Sequence, residues 1–160
     1  MSVNMNVKDY EAPLKEAFPG GEVRKQDPFR YWITVPADGL HTAVATLRDR
    51  FGIRHLGTIV GEDRRDRFEV HYILSGEVTV TLTVPVPDKE NPQVPSLSPL
   101  IEGALVYERE IYDLFGIVIA GHPSMRRQTL PEDWPDGLFP LRKDVQIPRA
   151  TVDDLKEEEK

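Results

Sequence analysis

Two side chains in this sequence have the types and settings for acid–base chemistry, Glu108 and His122. Helical spacing from Ala104 through Glu108 to Ile111 and Phe115 puts the Glu108 carboxylate on or beside an apolar stripe. A carboxylate there must be paired or protonated, because burial penalises a bare charge. Pairing with an arginine of the following segment, Arg126, Arg127 or Arg142, is the expectation, with bidentate contacts pinning that segment to the helix end. His122 sits in Gly121-His122-Pro123, where glycine permits an unusual φ and proline fixes the next one, so its ring is expected to hydrogen-bond at a turn. The sharper alternative is a free-standing small enzyme with Glu108 and His122 as acid and base, but no nucleophile or cofactor motif stands nearby for them to act on. Arg109, Glu110 and Asp113 read as charges on the helix surface.

Other chemistries are disfavoured by residue type. There is no cysteine, which removes disulfides, thiolate nucleophiles, zinc–thiolate sites and cysteine-ligated iron–sulfur clusters. The remaining histidines, His41, His55 and His71, are dispersed, with no His-x-x-x-His helix and no acidic cluster at ligand spacing, so no metal site is expected. A net charge of −7 without an uninterrupted basic patch argues against nucleic acid. Arg126-Arg127 and Arg142-Lys143 are interleaved with Glu132, Asp133, Asp136 and Asp144, which favours salt-bridge lacing over a phosphate pocket. No Gly-rich phosphate loop, nucleophile elbow or Ser/His/Asp arrangement is present.

The elements that must position these residues are those of a small α+β domain over residues 1–116. A first helix is expected over Lys8–Phe18, stopped by Pro19-Gly20-Gly21. Strands are expected at Glu22–Lys25 and Tyr31–Val35, and a second helix with Asp38 as N-cap and Gly52 as C-cap. Three strands in succession then suggest an antiparallel meander: Ile53–Gly61, Phe68–Leu74 and Val78–Val84, the last alternating Val78, Val80, Leu82 and Val84 with threonines. The predicted sheet is small and mostly antiparallel, three to five strands packed with about three helices. Pro85, Pro87, Pro92, Pro95 and Pro99 mark a stiff crossover that cannot donate regularly to a sheet. A last helix is expected from Leu100 to Phe115, ended by Gly116.

Residues 117–149 have no sustained period and are punctuated by Gly121, Pro123, Pro131, Pro135, Gly137 and Pro140, yet carry Ile117, Ile119, Met125, Trp134, Phe139 and Leu141. That is too much apolar surface for a solvated linker and predicts an extended partner-binding arm, with no core element of its own. Residues 150–160 read as a flexible acidic tail. No apolar run reaches the roughly eighteen residues of a membrane span, and the N-terminal residues lack a signal-peptide core, so a soluble or peripheral protein is expected. Aromatic and arginine anchors on such an arm fit a protein interface, which makes an adaptor in some unrelated assembly a further alternative.

Several of these blocks carry a resemblance. Glu108-Arg109-Glu110, Asp113-Leu114-Phe115-Gly116-Ile117, Gly121-His122-Pro123, Arg126-Arg127, Pro131-Glu132-Asp133-Trp134 and Pro140-Leu141-Arg142-Lys143-Asp144 closely resemble the 30 kDa subunit family of respiratory NADH:quinone oxidoreductase, complex I. That family is related to a subunit of membrane-bound NiFe hydrogenases and other complex I-like assemblies. The resemblance implies a cofactor-free, non-catalytic subunit of the hydrophilic arm of a membrane-bound oxidoreductase, peripheral on the cytoplasmic side, in a complex that couples electron transfer to ion translocation. Iron–sulfur clusters and a NiFe centre would lie in partner subunits. The partners implied are the large hydrogenase-like catalytic subunit and the small iron–sulfur subunit, the membrane being reached only through them. His122, Met125, Arg126, Arg127, Asp133, Trp134, Phe139, Arg142 and Lys143 would form the partner interface, with Glu108, Arg109, Asp113, Gly116, Gly121 and Pro123 as structural anchors. Val106 and Ile119 depart from the aromatic residues common in respiratory members. The Trp134–Pro140 segment is longer than the respiratory form, which looks more like the hydrogenase-related branch.

Overall fold

The computed structural model describes residues 8–146. The expected acidic tail and the last residues of the expected arm, 147–149, lie outside the described residues. Helix α1 (Glu11–Ala17) is shorter than its apolar spacing suggests. Pro13 is tolerated in its first turn, where backbone N–H groups have no intrahelical partner, and Pro19 stops extension. Strands β1 (Glu22–Asp27) and β2 (Arg30–Thr34) form a hairpin. Asp38 is not the N-cap expected of it: Ala37–Gly39 form a 3-10 turn, and helix α2 (Leu40–Phe51) starts from Gly39 without a side-chain cap. Gly52 closes α2 at φ 69°, a left-handed conformation that glycine adopts without steric cost.

The expected meander is present as β3 (His55–Asp63), β4 (Phe68–Ser75) and β5 (Thr79–Val86), in antiparallel register. The five strands are ordered β1-β2-β5-β4-β3, with β2 beside β5 as the sheet's parallel pair. Period-2 alternation turns Phe68, Val70, Tyr72 and Leu74 of β4, and Val80, Leu82 and Val84 of β5, to the face where Leu14, Leu40, Val44, Leu47 and Ile111 pack. These chains are almost wholly inaccessible and make one continuous core.

Helix α3 (Ala104–Phe115) begins four residues later than its pattern suggests, because Leu97–Ile101 are used in turns whose N–H groups bond back to Leu97 O. It lies against β3, and Gly61 is what permits the approach: a Cβ there would overlap the Phe115 ring. The crossover is less irregular than its prolines imply. Gln93–Pro95 form β6, which pairs in parallel with β7 (Val118–Ala120). Ile117 and Ile119 are therefore core residues, and the segment after Gly116 enters the fold before it leaves it. Prolines flank the short ladder, which needs few donors at its edge.

Candidate functional site

Glu108 points into the protein, 1% exposed, and its partners are not arginines. The Ser96 hydroxyl donates to one carboxylate oxygen at 2.8 Å and the Leu97 backbone N–H to the other. The acid ties the start of α3 to the end of β6, because the crossover returns past the helix within the pairing distance set by β6 and β7. The three arginines named for it go elsewhere.

His122 lies behind the same carboxylate, its Nε2 3.9 Å from Glu108, with a ring only 1% exposed. Its Nδ1 accepts from Ser124 N–H at 3.1 Å, which leaves the proton on Nε2, where it donates to Leu105 O at 3.2 Å. Both ring nitrogens and both Glu108 oxygens are thus committed to structure. An acid–base pair open to substrate is not what this geometry provides, and His122 cannot be presented to a partner.

Asp113 is a correction too. One helical turn after Arg109, it is 3% exposed and not a surface charge. One oxygen accepts the N–H groups of Gln128 and Thr129, both at 2.8 Å, and of Leu130 at 3.5 Å. Arg109 reaches the same segment, donating to Ser124 O at 3.0 Å and to Gln128 Oε1 at 3.3 Å. A charge-assisted cluster of backbone donors replaces the sheet or helix ladder that residues 128–130 lack.

Farther along, Gly116 (φ 68°) ends α3, and a Cβ there would overlap the Phe139 ring. That ring meets Tyr112 edge-on, with centroids 6.3 Å apart. Leu141 N–H donates to Leu114 O at 3.1 Å and Arg142 Nε to Phe115 O at 2.6 Å, so the arm satisfies carbonyls that the helix end leaves free. The Arg142 guanidinium lies between the Phe68 and Phe139 rings, 5.1 and 4.9 Å from their centroids, and favours the negative end of the helix dipole. Trp134 Nε1 donates to Leu138 O at 2.8 Å, closing the expected longer segment into a loop, and Arg127 pairs with Asp136. Tyr112, Asp113, Arg127, Leu130, Trp134 and Phe139 line a groove of about 390 Å³ under that loop.

One anchor, Asp63 at the end of β3, was not foreseen from residue types. Its carboxylate accepts from Lys89 Nζ at 3.0 Å, Arg65 N–H at 2.7 Å and Lys143 N–H at 2.9 Å. Burial pushes its pKa up, but the Lys143 amide, the Lys89 ammonium and the Arg65 amide outweigh that and hold it below the usual carboxylate value. The signal available was the acid-rich β3–β4 turn; its partner eighty residues on was not readable. Of the expected interface residues, Arg126, Asp133 and Lys143 stand exposed, Met125, Arg127 and Trp134 are half-buried, and Phe139 and Arg142 are turned toward the core. Outward-facing Leu141, 51% exposed, was not among them. Pro123 and Gly121 (φ 80°) make the turn that carries His122 inward.

Residues 33–151 match the defining pattern of the family described as respiratory-chain NADH dehydrogenase, 30 Kd subunit. The chain belongs to this family. Within the 30 kDa subunit family and its kin, it is 37% identical over 157 residues to Formate hydrogenlyase subunit 5 of Escherichia coli, a match covering 90% of this chain and 27% of that one. It is 44% identical over 104 residues to an NADH-quinone oxidoreductase subunit of Roseiflexus sp., covering 63% of this chain and 55% of that one. The chain thus spans about a quarter to about half the length of these curated relatives. Among solved structures, the trypsin-resistant fragment (1-134) of Nqo5 superposes with a TM-score of 0.61 at 32% identity, covering 71% of this chain and 97% of the fragment. The 30 kDa subunit fold is therefore the α+β core described above.

Proposed function

We propose that this chain is a cofactor-free structural subunit of the hydrophilic arm of a membrane-bound, complex I-like oxidoreductase. Its arm docks on the large hydrogenase-like subunit and the small iron–sulfur subunit, and it holds them in register for electron transfer coupled to ion translocation. The redox groups are carried by those partners. No helix among the described residues is long and apolar enough to cross a membrane, so contact with the bilayer runs through the same partners, on the cytoplasmic side. The observation that carries this reading is how the arm is built. Glu108, Asp113 and Asp63 pin what leads into it, its middle and its far end, while Arg126, Asp133, Leu141 and Lys143 are left on its outer surface. A strap rigid on one side and furnished with arginine and apolar groups on the other is what a protein partner recognises.

Two features of the relatives support the reading. In Formate hydrogenlyase subunit 5 the matching region is 27% of a longer chain, so this module occurs covalently joined to more protein than it has here. That match also covers 90% of this chain, against 63% for the Roseiflexus relative, which favours a hydrogenase-type assembly. The test is affinity purification of the tagged full chain from its native membrane, with partner identification and a visible spectrum. Co-purification of a hydrogenase-like large subunit and an iron–sulfur subunit is expected, and Leu141→Asp with Arg126→Glu should reduce the recovery of both while the free chain keeps its circular dichroism. Recovery of no iron–sulfur subunit would sink the proposal.

A further inference from the structure

On the sheet face away from the helices, Glu69 and His71 project from β4 on the same side, two residues apart, and Glu62 of β3 is paired directly opposite Glu69. The sequence expectation of no metal site rested on helical histidine spacing and on acidic clusters along the chain. A strand places ligands at i and i+2, and the third arrives across the ladder. We propose that Glu62, Glu69 and His71 form a binding site for a borderline divalent transition ion, with Zn²⁺ as its reference occupant.

The geometry is that of an open three-ligand site. His71 Nε2 lies 3.3 Å from Glu62 Oε2 and 3.9 Å from Glu69 Oε2, and the three ligand atoms fall within 4.8 Å of one another. Metal–ligand bonds of about 2.0–2.2 Å put neighbouring tetrahedral ligands roughly 3.3 Å apart, so one ion fits with small movements. Glu69 and His71 are 6% and 7% exposed, and His71 is held from two further sides. Thr83 Oγ1 lies 3.0 Å from its Nδ1 and the Trp32 ring meets it edge-on at 5.8 Å. A hydroxyl both donates and accepts, so Thr83 serves either imidazole tautomer, including the Nδ1–H form that frees Nε2 for a metal. Glu69 and His71 also line a groove of about 380 Å³, which gives an ion entry and a water for its remaining position.

Two arginines share the cluster, and they take different roles. Arg67 donates to Glu69 Oε1, at 2.6 and 3.0 Å, and leaves the other oxygen to the site. Arg64 Nε donates to Glu69 Oε2 at 3.1 Å, and its guanidinium lies 3.4 Å from Glu62, so it occupies the position a cation would take. Its side chain is 49% exposed and can swing into solvent. Arg64 is therefore the competitor and Arg67 the orienting residue. That yields a sign that adventitious surface binding does not: removing Arg64 must strengthen metal binding.

The experiment is calorimetric titration of Zn²⁺ into the chelator-stripped full chain, repeated with Co²⁺ to read the visible band of low-coordinate cobalt. One saturable equivalent is expected, weakened about tenfold or more by His71→Ala and by Glu62→Gln, and tightened severalfold by Arg64→Gln. Glu62 is half-exposed, so its variant keeps the test valid if His71→Ala fails to fold. No saturable binding to the wild-type chain, binding unchanged in both ligand variants, or weaker binding in Arg64→Gln would each overturn the site.

Discussion

Leu82, in the middle of β5, and Thr129, midway along the arm, sit in the same chain under different forces. Leu82 is wholly buried, flanked across the sheet by Tyr72 and Ile33, and its contribution is area removed from water. Thr129 is exposed and in no ladder, and is held because its N–H and those of its two neighbours converge on one buried carboxylate of α3. Apolar burial is spread over many residues and fails all at once, whereas a carboxylate tether is concentrated in a single group. The arm is therefore a part that one atom-sized change can release from a core that stays folded.

Two tryptophans make this measurable, since Trp32 lies in β2 and Trp134 in the arm. Replacing either by Phe leaves a single-tryptophan protein that reports one region. The largest effect expected is Leu82→Ala, at about 3 kcal/mol from lost transfer energy and the cavity left behind. Both reporters should move to lower denaturant together, because the arm has nothing to dock on without the sheet. If the Trp134 signal held while Trp32 shifted, the arm would have its own stability and the contrast would be lost.

Asp113→Ala should come next, at about 2 kcal/mol, from three backbone donors left without their acceptor. Here the two reporters should part. The Trp134 transition moves down, the Trp32 transition barely changes, and amide exchange at residues 128–130 rises sharply by mass spectrometry. Equal shifts at both tryptophans would show that Asp113 supports the core and not the arm alone. Gly116→Ala should act in the same direction with a somewhat smaller arm displacement, since the left-handed backbone is strained by any side chain and the Cβ meets only the edge of the Phe139 ring.

How far the two regions could be read from sequence follows the same division. Strands β4 and β5 were legible because burial on one face imposes period 2 on neighbouring residues, and the glycines closing α2 and α3 because only a left-handed turn needs them there. The parallel seat of β2 beside β5 was not, since it depends on a partner half a chain away. The short β6–β7 ladder was hidden by its prolines. In the arm, residue types announced an anchored strap, but the partners were misassigned. Arginine is the usual guess for a buried acid, whereas Glu108 found a serine hydroxyl and a backbone amide in the proline-rich crossover. Asp113 looked like surface charge because the loop that covers it has no pattern of its own. Where order comes from converging backbone N–H groups, side-chain periodicity has nothing to show.

The smallest expected effect concerns the third tether and depends on pH. Asp63 has its carboxyl held below the ordinary value in the folded protein, net of burial, by the Lys143 and Arg65 amides and the Lys89 ammonium. Protons therefore bind the unfolded chain more readily than the folded one, and the stability this group supplies is complete above about pH 4 and falls as pH drops through the lowered folded value. Asp63→Asn keeps one acceptor oxygen but has no such titration. Denaturation followed at Trp134 should show the wild-type chain more stable than Asp63→Asn at pH 6, with the gap closing toward pH 3. Lys143 gives its backbone and not its side chain to Asp63, so Lys143→Ala should leave that gap intact, whereas Lys89→Ala should narrow it. A gap that stayed constant with pH would mean that Asp63 holds the arm by shape, with its charge irrelevant, and would separate it from the charge-assisted tether at Asp113.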